Sequence, residues 1–203
     1  MAREAHLNKP SGQYAVAVAT GAIAAGAGAN SEVFHFRWTS TTNLAVIEEI
    51  SVTGMRATTA FAVGTIDIKA TRATSWTAVG AGGTALTLTD HEAQLRTSMD
   101  ASLVGDARVA TTAALTAGTK TLDTQDLGLV TTHSSGGVGS ATPIIGSIYL
   151  PTTTLFKADV ASGQSRLVLA ANEGFVVRAT VPATGVWNLG MLIKWSEVLP
   201  AHY

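Results

Sequence analysis

No cysteine occurs among the 203 residues. Disulfides and thiolate metal sites are therefore excluded, and the redox compartment is left open. Charge is scarce too. Asp, Glu, Lys and Arg make up 13% of the chain, against roughly 25% in an average soluble domain. The net charge is -1, so no basic field exists to attract nucleic acid. Aromatic residues are few, at 6%. Long apolar runs are missing as well. The nearest imitation, Tyr14 to Ala29, follows Arg3 and Lys9 as a signal peptide would, but it holds no Leu or Phe and is broken by Gly and Thr. It is too short and too Gly-rich for a membrane span and reads as a strand followed by a loop.

What replaces the missing charge is Thr, Ala, Ser and 20 Gly, within a chain that is 46% hydrophobic. That content supports a well-buried core. The weakly solvated surface suits a subunit whose flanks are covered by neighbours. Met1 to Gln13 is polar, carries a Pro-Ser-Gly turn and has no alternation of its own. It reads as an N-terminal arm, residues 1–13, held by a neighbouring subunit or else packed back along its own sandwich as an edge strand, with residues 14–203 as a single β-sandwich domain.

Two-residue alternation dominates the rest. Phe34, Phe36 and Trp38 share one face, opposite Val33, His35 and Arg37. Ile66 and Ile68 face inward against Thr65, Asp67 and Lys69. In "NLAVIEEISVTGMRA" the apolar phase swaps near Glu48, which predicts a bulge. Glu48 and Glu49, as strand neighbours, are expected to face opposite ways and so to form no glycosidase pair. "DHEAQLRTSM" predicts one or two helical turns opened by Asp90 as N-cap, and the Thr-rich stretch that follows predicts short strands and loops. The most patterned stretch is the last: Trp187, Leu189, Met191, Ile193 and Trp195 on one face, Asn188, Gly190, Lys194 and Ser196 on the other. With "GFVVRATV" across "PATG", this predicts a closing hairpin, its large residues filling a core otherwise lined by Ala, Val and Thr. About ten strands at even spacing, with no long helix, give an all-β fold: an antiparallel β-sandwich, jelly-roll-like.

Chemistry is harder to find. None of the histidines, His6, His35, His91, His133 and His202, has a partner at metal-ligand spacing. Asp90, His91 and Glu92 are adjacent and read as a solvated turn. "GVGSA" misses the nucleophile elbow by one place, and "GAGG" lacks the Lys of a phosphate loop. No catalytic, cofactor-binding or metal-ligating residue emerges. The expectation is a protein that is not an enzyme and uses no cofactor.

Four stretches carry a resemblance: "GAIAAGAGANSEVFHFRW", "LRTSM", "ARVATTAALTAGTKTLDTQDLG" and "NEGFVVRATVPATGVWNLGMLIKWSEV". Together they resemble a family of small structural or uncharacterised proteins of tailed-bacteriophage and prophage virions, over most of the chain. The resemblance implies a virion component, assembled in the host cytoplasm, with no catalytic or ligand-binding residue to carry over. The expected role is a head decoration or cement protein that stabilises the capsid lattice. Its expected partners are the major capsid protein or other virion subunits, and further copies of itself as a homotrimer, with no direct nucleic-acid or membrane contact. The alternatives are a tail tube or tail-associated subunit, and a host-glycan-binding β-sandwich module, which an exposed aromatic platform would favour.

Overall fold

The computed structural model describes residues 12–24, 29–88, 92–135, 148–159 and 165–202. Among the described residues thirteen strands follow one another: β1 (Gly12–Ala19), β2 (Ile23–Ala24), β3 (Ser31–Trp38), β4 (Leu44–Thr59), β5 (Gly64–Ala78), β6 (Thr84–Ala85), β7 (Val104–Val109), β8 (Thr119–Ser134), β9 (Ile148–Leu150), β10 (Thr153–Lys157), β11 (Leu167–Leu169), β12 (Glu173–Thr180) and β13 (Val186–Val198). A 3-10 turn, Pro200–His202, comes last. β1 begins at Gly12, paired with Glu197, two residues inside the stretch read as an arm. Residues 1–11 of that arm lie outside the described residues, as do Asp90 and His91.

The strands form two antiparallel sheets in a sandwich. The first runs β1-β13-β4, and the far edge of β4 is covered piecewise by β11, β10 and β9. The second runs β6-β7-β3-β12-β5-β8. The predicted inward faces are the core. Phe34, Phe36, Trp38, Ile66, Ile68, Trp187, Leu189, Met191, Ile193 and Trp195 are all buried. The sheets meet where Trp195 of the first lies edge-on to Phe36 of the second at 5.3 Å; within each sheet these rings are backed by a neighbour, Tyr14 stacked on Trp195 at 5.4 Å and Phe175 on Phe36 at 5.2 Å. With few aromatics in the chain, concentrating them between the sheets gives a sandwich of small residues its filling volume.

Four expectations need correction. β12 and β13 are not a hairpin: β12 pairs with β3 and β5, β13 with β1 and β4. The Pro182–Gly185 connection passes between sheets, and Gly185 there has φ +118 and packs its backbone against the Phe61 ring. Alternation reports which face is buried, not which strand lies alongside. Second, residues 92–100 form turns and no helix. Their backbone bonds go to the edge of β1 instead, Ala15 N to Ala93 O at 2.9 Å and Leu95 N to Gln13 O at 3.1 Å. Third, the Thr-rich stretch contains the sixteen-residue β8, whose period is hidden by repeated register shifts against β5. Fourth, Glu48 and Glu49 do not face opposite ways, because the predicted bulge lies at Glu48: Lys194 pairs with Glu49 and Trp195 with Ile47. The extra residue turns both glutamates toward the outward row of β13: Glu49 Oε2 accepts from Lys194 Nζ at 2.8 Å, and Glu48 accepts from the Ser196 hydroxyl.

Candidate functional site

β12 ends where Gly174 pairs with Ala73, so residues 74–78 of β5 pair with β8 alone. This two-stranded ribbon arches over the outer face of the second sheet. Trp76 packs on Val176, Ala73 and Leu122, and its ring lies edge-on to His35 at 5.1 Å. Gly174 beneath it has room for no side chain, because a Cβ there would come within 3.0 Å of the Trp76 ring. The ribbon tip is fixed by Gly118, whose φ of +64 suits glycine, and by Leu115 N, which donates to Glu32 O at 2.8 Å.

Under this strap lies a connected polar cluster. His35 is fully buried. Its Nδ1 is 2.7 Å from Glu32 Oε1 and its Nε2 is 2.7 Å from Asp106 Oδ2. Each ring nitrogen thus faces one carboxyl oxygen at hydrogen-bond distance, with the donor role set by the tautomer. Glu32 Oε2 meets Lys120 Nζ at 2.6 Å, with side-chain exposures of 6% and 3%. The ammonium sits 4.4 Å from the Trp76 ring centre, within cation–π range. Arg108 Nε reaches Asp106 Oδ1 at 3.2 Å from the more exposed side. Alternation placed His35 on the face opposite the core, where solvent is expected. No sequence signal linked it to Lys120, because the cover arrives from 85 residues further along the chain.

A second buried carboxylate closes one end of the sandwich. Glu197 Oε1 accepts from Ser102 Oγ at 2.6 Å, Trp195 Nε1 at 3.1 Å and Leu103 N at 3.1 Å. Burial pushes its pKa above the ordinary carboxylate value, more than these donors pull it down. Beside it the Tyr14 phenol is pushed up to about 12, first by burial and then by Glu197 and Asp100. Its hydroxyl donates to Asp100 O at 2.8 Å.

The outer face of the first sheet is open. Gly54 and Gly190 pair across β4 and β13, and the missing side chains leave a groove of about 490 Å³ walled by Ala19, Arg56, Leu150 and Asn188 among others. No group of three His, Asp or Glu able to hold a metal exists among the described residues. His133 is exposed near the end of β8. All four tryptophans are buried. Neither of the neighbouring glutamates Glu48 and Glu49 lines the groove.

Comparison with protein-family models, with curated proteins and with solved structures finds no match to this chain.

Proposed function

We propose that the chain is a structural subunit of a tailed-phage particle, a head decoration or cement protein built as a jelly roll. The observation that carries this reading is the strand order. β1-β13-β4-β10 faces β3-β12-β5-β8, with β6 and β7 added beyond β3, and the chain passes repeatedly from one sheet to the other. That is the order expected of two interlocked Greek keys, an architecture recurrent in capsid proteins and lectins. Between those two uses, the buried tryptophans favour the first, since a sugar platform needs rings at the surface. The low charge of the chain, 13% of its residues, supports burial against neighbours. A decorating subunit gains its effect from many modest contacts multiplied by symmetry.

Mass spectrometry of purified particles from the strain encoding the chain tests the reading. The expected result is the protein at high copy number in filled and empty heads alike. Its absence from particles would sink the proposal, and a copy number matched to the tail would move it to the tail tube. The segment before Gly12 is proposed to reach a neighbouring subunit. Deleting residues 2–11, and no further because Gly12 and Gln13 pair with β13, is expected to leave melting unchanged and to abolish trimers in light scattering and binding to heads. Normal binding by the shortened chain would refute the arm's role.

A further inference from the structure

We propose that Lys120 and Glu32 condense into an intramolecular amide, Nζ to Cδ, that bolts β8 to β3 beneath the strap. This inference does not depend on the virion reading. It rests on four features of one cluster. The reacting groups touch, at 2.6 Å between Nζ and Oε2, with both side chains almost fully buried. The amine is aimed, because Nζ also donates to the Ala117 carbonyl and lies over the Trp76 ring. The carboxyl is activated, because its other oxygen, Oε1, takes a 2.7 Å hydrogen bond from His35 Nδ1. The imidazole is oriented from behind by Asp106 Oδ2 at 2.7 Å, itself held by Arg108.

The step balances without any added reagent. A proton passes from the ammonium to Oε2 along their contact, giving a neutral amine and a carboxyl whose carbonyl oxygen is Oε1 and whose hydroxyl is Oε2. Nζ attacks Cδ. Negative charge develops on Oε1, where the His35 N–H already points, as an oxyanion donor should. Nζ then gives up a second proton, the Cδ–Oε2 bond breaks, and Oε2 leaves as water carrying both protons. One C–N bond replaces one C–O bond, and both charges vanish. The fold supplies the approach, since two groups fixed in contact react as if at very high concentration. Burial excludes the competing water. It also gives a direction, because a buried ion pair carries a desolvation cost that an amide does not. His35, in contact with the reacting carboxyl, is the catalytic residue, and Asp106 is a positioning residue acting through it.

Intact-mass spectrometry of the purified full chain decides the matter. The expected mass is lower by one water than the sequence requires. Proteolysis is expected to release one cross-linked species joining the peptides that contain Glu32 and Lys120. Lys120→Arg keeps the charge and is expected to restore the full mass. His35→Gln is expected to slow the loss, so that freshly folded protein shows the full mass at a time when the parent chain is already joined. Because the parent chain alone gives the answer, a variant that fails to fold does not blunt the test. Folded parent protein that keeps its full mass after prolonged incubation would show a simple ion pair and overturn the proposal. A lost water mapped to any other pair of residues would overturn it equally.

Discussion

Trp195 concentrates several roles in one side chain. It stacks on Tyr14, meets Phe36 across the sandwich and donates to Glu197. Trp195→Ala is expected to cost about 3–5 kcal/mol, the range for emptying a large aromatic site, read from urea unfolding of the isolated subunit. A loss below about 1 kcal/mol, on the scale of a surface change, would contradict a core role. Trp187 is as deeply buried, yet its Nε1 has no partner among the described residues. Three carboxylates give the pH dependence opposing signs. Glu197 has a raised folded pKa, so its contribution is fully present below the ordinary value of 4.5 and is lost as pH rises through the folded value. Glu197→Gln is therefore expected to raise stability at neutral pH, with Oε1 still available to all three donors. Thermal melts from pH 4 to 8 that show no gain for the variant would refute this. Glu49 works the other way. Lys194 and then Ser51 hold its pKa down, so its contribution is present above 4.5 and lost as pH falls through the folded value. Asp126 joins it: burial raises its pKa, but Thr71, Lys69 and Arg178 together bring it below the ordinary 3.8. Glu49→Gln is expected to flatten the acid limb of the stability curve below pH 4.5.

At the scale of elements, the strap is the feature that a simple sandwich does not need. Its grip includes the Trp76 ring on Val176 and His35, the Lys120–Glu32 contact and the Leu115 N–H on the Glu32 carbonyl. Trp76→Ala is expected to speed amide exchange over residues 73–78 and 119–126 while leaving β1 and β13 protected, a local opening and not a global one. Uniform loss of protection would mean that the strap and the sandwich unfold as one unit. The exposed edge of β8 is blunted by its own irregularity. Thr71 pairs with Asp126 and Ala73 with Leu122, so β8 carries two extra residues there and its edge is too irregular to invite another strand. Further along, Gly128 lets β8 pass against the Leu155 carbonyl of β10 where a side chain would collide.

For the whole molecule, the connectivity matters more than any single strand. The first strand pairs with the last along its full length, and β13 lies between β1 and β4. β1 and β4 therefore cannot be joined in one sheet until the final strand is present. A chain truncated before Val186 is expected to lack a cooperative unfolding transition by circular dichroism. The intact chain is expected to refold on the millisecond-to-second scale of nonlocal β topologies. A truncated chain that melts cooperatively would show that the second sheet stands alone.

The all-β character, the identity of the core and the bulge at Glu48 were all determined by the sequence alone. Each follows from a period of two residues, and burying one face of a strand imposes that period locally wherever the strand ends up. The tertiary structure alone decided which strands pair, that β12 and β13 belong to opposite sheets, and that His35 is covered. Those outcomes depend on segments far apart in the chain. Lys120 reaches Glu32 and Ser102 reaches Glu197 only after the sheets have closed. Alternation carries no information about such meetings, because any apolar face satisfies any other, whereas a buried charge is tolerated only where its partner arrives.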